Sequence, residues 1–195
     1  MTIPKMIVVA GPPGSDKSSI YPLSGFGFAH FNADDRTAEL NGGSYLGISK
    51  EIRNVVNREF ETFILGSIER RVSFAIETTL RSEVTFEQAL LAKQAGFAVE
   101  MRYLALRDFE LHLIRVKGRA FAGGHSASEP TLRRIYNSSL VNLRRAVKEI
   151  DVVWVYDNTD IEASHPLVLE TVHGEIRFVA EDPPKWLRAA LYPFS

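Results

Sequence analysis

The chain has 195 residues, 45% of them hydrophobic and 24% charged, with a formal net charge of -1. That is enough for one globular domain with a sizeable core, and the composition is far from that of a disordered segment. The near-neutral charge argues against a protein built mainly to coat nucleic acid, and the lack of cysteine excludes disulfides, thiolate metal sites and cysteine nucleophiles.

The N-terminal Met1-Thr2-Ile3-Pro4-Lys5 has no charged-then-apolar leader layout, and no apolar run approaches a membrane span. A soluble cytoplasmic protein with no membrane partner is expected. The whole of 1-195 reads as a single domain, with a core of about 3-158 and an extension of about 159-195.

Met6-Ile7-Val8-Val9-Ala10 is an apolar run suited to a strand buried on both faces. It leads into Gly11-Pro12-Pro13-Gly14-Ser15-Asp16-Lys17-Ser18-Ser19. A buried strand, a tight Gly/Pro turn and Lys-Ser at a helix start are the setting of a phosphate-binding loop of the form G-x-x-x-x-G-K-[ST]. Backbone N–H groups of such a loop cradle phosphates at a helix N-terminus, so residues 11 to 19 are the expected nucleotide-binding segment. Lys17 would reach the outer phosphates and Ser18 would offer its hydroxyl to Mg²⁺. One position departs: the second glycine is Asp16.

A short helix from Lys17 to about Leu23, limited by Pro22, should follow. Residues 28–32 read as a second strand, ending in the polar Asn32-Ala33-Asp34-Asp35-Arg36. In open α/β sheets ligands bind at the carboxyl ends of strands. Asp34 and Asp35 are therefore either a solvated turn or helix cap, or a carboxylate facing a substrate. Residues 40–47 are loop by composition, and 49–71 carry apolar residues at helical spacing.

Residues 72–76 read as a third strand running into Glu77-Thr78-Thr79-Leu80-Arg81. Those polar residues are either a cap and exposed surface or a substrate cradle, with Arg81 able to grip phosphate in two places. Ser82 and Thr85 are plausible caps for a helix through Ala95. A fourth strand spans 97–106, a helix begins at Asp108 and ends at Gly123-Gly124-His125, another runs from about Pro130 to Ile150, and a fifth strand covers 152–156, closed by Asp157-Asn158. Residues 167–172 and 175–179 flank His173-Gly174 as a hairpin, and a short helix from about Pro184 to Leu191 completes the chain. The alternation predicts an α/β fold: three layers around a mostly parallel five-stranded sheet, with a C-terminal hairpin and short helix.

Arg115 and Arg119 lie one turn apart, and Arg133-Arg134 follow. Charged helix faces are usually just solvated, but phosphoryl transfer needs positive charge around the migrating group, often from arginines on a lid. Gly123-Gly124 could hinge that lid. His125 reads first as a structural hydrogen-bonder.

Taken together, Gly11-Pro12-Pro13-Gly14-Ser15-x-Lys17-Ser18, Asn32-Ala33-Asp34, Glu77-Thr78-Thr79-Leu80-Arg81, Arg119-x-x-x-Gly123-Gly124-His125 and Arg133-Arg134-x-Tyr136 resemble the zeta-toxin family of P-loop kinases, including its stand-alone members. The resemblance runs from Ile7 to about Asn158 and leaves the hairpin and terminal helix outside it. It implies that Asp34 is the general base on a sugar hydroxyl, that Lys17 and Ser18 hold the nucleotide phosphates and Mg²⁺, and that Asn32, Asp34, Glu77, Thr79 and Arg81 contact the substrate. Arg119 with Arg134, or Arg133 beside it, would act on the transferring phosphoryl. The family reaction is ATP- or GTP-dependent phosphorylation of the 3′-hydroxyl of UDP-N-acetylglucosamine, and a small antitoxin can hold the toxin inactive. Ser128 stands where many members carry proline.

Asp16 puts bulk and negative charge where the family pattern has glycine. At about 4 Å and an effective dielectric near 20, a unit-charge repulsion is on the order of 4 kcal/mol, so pairing of Asp16 with Lys17 in the empty site is one expectation. The readings that survive are a kinase with weakened catalysis, a lesion tolerated because it blunts a toxin in its host, a variant that binds its nucleotide differently, a degenerate loop that binds nucleotide or a partner without turnover, and a P-loop kinase for another metabolite or antibiotic.

Overall fold

The computed structural model describes residues 2–121, 127–160 and 165–191. The expected hinge at Gly123-Gly124 and His125 lies outside them.

The first strand, β1 (Lys5–Ala10), is the centre of the sheet. Its neighbours are β3 (Phe74–Thr78) and β4 (Ala98–Ala105), both parallel to it, with β2 (Ala29–Phe31) beyond β3 and β5 (Val152–Asp157) beyond β4. The expected hairpin is present as β6 (Leu167–Val172) and β7 (Glu175–Val179), but it does not stand apart. β6 pairs antiparallel with β5, so the sheet has seven strands in the order β2-β3-β1-β4-β5-β6-β7 rather than five. Only β6 runs against the rest; β7, antiparallel to β6, points the same way as β1 to β5.

Side chains alternate across each strand, so β1, β3 and β4 present one set of apolar residues to each face. Met6, Val8, Phe74, Ile76, Met101 and Tyr103 face the larger core. That core is closed by α3 (Lys50–Glu69), α4 (Val84–Gln94), α6 (Glu129–Glu149) and α7 (Lys185–Leu191), through Ile64, Phe86, Leu143 and Leu187. The opposite face, with Ile7, Val9, Ala75 and Leu104, has a thinner cover of Ile20, Tyr21, Leu23, Phe26 and Phe28. The cause is local. Helix α1 covers only Lys17–Ile20, because the residue before a proline is driven out of helical geometry: Tyr21 has φ -124 and ψ 70 ahead of Pro22. The chain then makes a 3-10 turn, Leu23–Phe26, in place of the longer helix expected.

Two further differences from the sequence expectations bear on the site. Helix α2 (Ala33–Leu40) occupies residues that composition did not mark as helical. Asn32 starts it, its side-chain oxygen accepting the N–H groups of Asp34 at 3.0 Å and Asp35 at 3.3 Å. Strand β3 begins two residues later than expected and extends through Thr78, since pairing with β1 sets Glu77 opposite Val9 and Thr78 opposite Ala10. Glu77 therefore sits on a strand end beside the Gly11 turn. Ser82 and Thr85 are not caps: α4 starts after Glu83 with no side-chain cap, and Thr85 is buried with its hydroxyl 3.4 Å from that of Thr78.

Among the described residues no helix is long and apolar enough to cross a membrane.

Candidate active site

The site lies where β1 ends. Gly11 has φ 145, and a Cβ there would come 2.1 Å from the Leu104 carbonyl oxygen; Gly14 has φ 82, and a Cβ there would come 2.6 Å from the carbonyl oxygen of His112. Both positions demand glycine for backbone shape and for space. The turn is braced by the Ser15 N–H donating to Pro12 at 3.3 Å and the Gly11 N–H to Thr78 at 3.3 Å. The N–H groups of Gly14, Asp16, Lys17 and Ser18 meet no acceptor among the described residues. Free N–H groups gathered at a turn before a helix are what an anion-binding loop requires.

Asp16 takes the left-handed conformation, φ 61 and ψ 31. Aspartate tolerates it better than most residues with a Cβ. Its carboxylate does not pair with Lys17. It accepts instead from Arg115 Nη1 at 2.7 Å, an arginine of helix α5 (Phe109–Phe121). The second terminal nitrogen of Arg115 donates to the Thr159 carbonyl at 2.9 Å. Arg115 is thus committed to the loop's own structure rather than offered, beside Arg119, to a migrating phosphoryl group.

Lys17 is buried, its ammonium donating to the carbonyls of Gly11 at 3.0 Å and Pro12 at 3.3 Å, with Glu77 Oε1 at 3.7 Å. Burial pushes the Lys17 pKa down, against the pull of Glu77; Arg119 pushes the same way as burial, while Asp34 and Asp16 oppose it. Glu77 is pushed up by burial, opposed chiefly by Lys17, with Asp34 and Arg119 also acting on it. Lys17 and Glu77 are thus in contact, and Asp34 and Arg119 both lie within electrostatic reach of that pair. The fold brings these four together from β3 and three helices. Ser15 Oγ and Glu77 Oε2 are buried without a partner, and the Ser18 hydroxyl is exposed and uncommitted among the described residues.

Asp34 stands in the first turn of α2, which is fastened to α3 by Arg36. The Arg36 guanidinium grips Glu59 with Nε at 2.7 Å and Nη2 at 3.0 Å, and reaches Glu39 with Nη1 at 2.7 Å. Tyr45 donates to Asp35 at 3.1 Å. Thr79 is half-buried and Arg81 exposed, and neither makes a side-chain contact among the described residues that ties it to the cluster. Of the two arginines on α6, Arg133 lies over the Phe109 ring at 4.0 Å and reaches Glu110 and Glu129, both at 3.4 Å. Arg134 is exposed with no partner among the described residues.

Two supporting residues were not singled out from sequence. His112, almost fully buried on α5, accepts the Leu106 N–H on Nε2 at 3.0 Å, so Nδ1 carries the proton and donates to the Pro13 carbonyl at 2.9 Å. Burial drives its pKa down to about 4, so the ring is neutral. The ring packs edge-on to Tyr136 at 5.1 Å, whose own hydroxyl is pushed up to about 12 by burial. Asn158, buried just past β5, donates to the Ser15 carbonyl at 3.1 Å. For His112 a signal existed: Phe109, His112 and Val116 fall on one helical face, and a histidine on an apolar stripe needs a hydrogen-bond partner.

No family model matches the chain. An uncharacterized protein of Haemophilus influenzae is 30% identical over 70 residues, which make up 36% of this chain and 50% of that protein. The chain thus spans half the length of the curated relative it matches. Among solved structures, a chain of the PezAT chromosomal toxin-antitoxin system of Streptococcus pneumoniae is 16% identical and superposes with a TM-score of 0.69, covering 98% of this chain and 80% of that one. A chain of AvrRxo1-ORF1:AvrRxo1-ORF2, solved with sulphate ions, is 16% identical with a TM-score of 0.67, covering 89% of this chain and 60% of that one. A kinase-like chain from Chloroflexus aurantiacus is 17% identical with a TM-score of 0.55, covering 69% and 79%.

A parallel sheet with β1 between β3 and β4, and a glycine cradle at the end of β1, define a P-loop kinase fold. Within that class the fold is shared with the PezAT toxin-antitoxin chain and the AvrRxo1-ORF1:AvrRxo1-ORF2 chain.

Proposed function

We propose that the chain is an ATP- or GTP-dependent small-molecule kinase of zeta-toxin type that phosphorylates a sugar hydroxyl of a nucleotide sugar such as UDP-N-acetylglucosamine. The observation that carries this reading is the meeting of Lys17, Glu77, Asp34 and Arg119 beside a loop of unpaired N–H groups. A loop that only bound phosphate would need the cradle and Lys17; a carboxylate and an arginine in the same field are what phosphoryl transfer adds.

In this reading the backbone of residues 11 to 19 and the Lys17 ammonium bind the nucleotide phosphates, and an arriving anion offsets the burial that disfavours the Lys17 charge. Asp34 takes the proton from the attacking hydroxyl. Arg119 and Arg134 neutralise charge that builds on the transferring group, while Asn32, Glu77, Thr79 and Arg81 position the acceptor. Mg²⁺ fits the oxygen set present, an exposed Ser18 hydroxyl and the unpartnered Glu77 Oε2, since that ion takes one or two protein oxygens beside phosphates and water. When bound it would screen the phosphate charge. A small antitoxin partner is supported by the PezAT toxin-antitoxin likeness.

The test is transfer of labelled γ-phosphate to a panel of nucleotide sugars, with UDP-N-acetylglucosamine in it, by the native chain and by Lys17→Ala and Asp34→Asn. Labelled sugar from the native chain alone supports the proposal. No transfer to any member, together with nucleotide hydrolysis indifferent to Lys17→Ala, would refute it. Asp16 favours a second reading, nucleotide binding without turnover; saturable Mg-ATP binding with no transfer or hydrolysis would select it.

A further inference from the structure

Helix α5 forms the back wall of the loop, and one face of it is spent on that task. His112 holds the Pro13 carbonyl, Val116 lies 3.2 Å from where a Gly14 Cβ would be, Arg115 holds Asp16, and Arg119 reaches the field of Lys17 and Glu77. Positions 112, 115, 116 and 119 are the spacing of a single helical face. Of these contacts, that of Arg115 answers the one departure in the loop.

The Asp16–Arg115 pair is largely shielded, with the Arg115 side chain 9% exposed and that of Asp16 25%. Arg115 has no freedom to leave, because its second nitrogen is held by the Thr159 carbonyl. That carbonyl is itself fixed: the Thr159 N–H donates to Asp157 Oδ1 at 2.8 Å, its hydroxyl donates to the same oxygen, and the Arg107 N–H donates to the hydroxyl at 2.8 Å. The guanidinium is therefore anchored from the end of β5 before it meets the carboxylate. A carboxylate so held is turned toward α5, and its charge is cancelled at close range.

We infer that Arg115 is a positioning residue that neutralises Asp16 and holds it out of the phosphate cradle, so that nucleotide binding depends on the Asp16–Arg115 pair where related loops depend on glycine. The inference rests on the nucleotide-binding reading of the loop and deepens it. It makes Arg115 indispensable only while Asp16 is present.

A double-mutant cycle tests that dependence: calorimetric titration of Mg-ATP into the native chain, Arg115→Ala, Asp16→Gly and the double variant, each with its melting temperature measured. Uncovering a unit charge about 6 Å from phosphate at an effective dielectric near 20 corresponds to roughly a hundredfold in affinity. Arg115→Ala should lose binding to about that extent, and the same change in the Asp16→Gly background should cost less than about threefold. If Arg115→Ala melts below the assay temperature, Arg115→Gln in both backgrounds reads the same coupling, since it keeps a donor while dropping the charge. Equal loss in both backgrounds would overturn the inference alone, because the arginine would then act on the nucleotide or the fold directly. No loss in either background would overturn it too. Failure of every chain to bind, Asp16→Gly included, would remove the nucleotide reading itself.

Discussion

The His112 ring donates from Nδ1 to the Pro13 carbonyl at 2.9 Å, and so joins helix α5 to the middle of the glycine loop across a wide gap in sequence. With Nε2 occupied by the Leu106 N–H, both ring nitrogens are used and the neutral form is the one the fold accommodates.

Stability should therefore fall as the solution is acidified through the range where free histidine gains its proton. The folded pKa of His112 is depressed to about 4, so the unfolded chain binds a proton that the native chain refuses. This contribution is complete above about pH 6.5, shrinks as pH drops toward 4, and amounts to roughly 3 kcal/mol over the whole window. Urea melts of the native chain and His112→Gln at pH 7.5 and 5 measure it. The native chain should lose more stability than the variant between those two values; equal losses would show that His112 does not set the dependence.

Gly11→Ala and Gly14→Ala should each disable the loop, for different reasons of degree. An added Cβ would sit 2.1 Å from a carbonyl oxygen of β4 in the first case and 2.6 Å from one of α5 in the second, and backbone cannot yield as a side chain can. Each also imposes strain at positive φ, so a loss of about 2 kcal/mol or more is expected, larger for Gly11. Thermal melts give the order directly. By contrast Gly42→Ala, at φ 66 with nothing within 4 Å, should cost only the conformational part, about 1 kcal/mol.

Asp34 and Asn32 are adjacent in space but should fail in different assays. Asp34→Asn keeps the helix start and removes the carboxylate, so turnover should drop by about 10²- to 10⁴-fold with the melting temperature almost unmoved. Asn32→Ala leaves the carboxylate and removes the acceptor for two N–H groups, which should lower stability by about 1 kcal/mol. Should Asp34→Asn turn over sugar at the native rate, the general-base role goes.

Helix α2 is also held in place from outside. Glu59→Gln weakens the two-pronged grip on Arg36 that ties α2 to α3. We expect a rise in the sugar KM of severalfold with nucleotide affinity unchanged, read from initial rates at varied acceptor and donor.

What the sequence revealed was what depends on neighbours in the chain. The apolar run 6–10, the glycines at 11 and 14, the periodicity of α3 and the His173-Gly174 turn are local signals, and each element appeared where its signal lay. Helix α2 escaped because Ala33-Asp34-Asp35-Arg36-Thr37 has no apolar stripe to count; its cap at Asn32 and its tie through Arg36 to Glu59 sustain it. The seven-stranded sheet escaped because a hairpin pattern does not say what lies beside it. The partner of Asp16 was out of reach for a plainer reason: charge proximity suggested Lys17, one residue away, and the carboxylate found Arg115 after a fold had placed α5 behind the loop.

The loop is clamped at three successive points, by His112 at Pro13, Asn158 at Ser15 and Arg115 at Asp16. A nucleotide bound as proposed would meet a cradle already in shape, so capture need not wait for the loop to order. Encounter is then governed by diffusion and charge, and differences in affinity among nucleotides or loop variants belong to how long each stays. The chain should discriminate among donors through residence time.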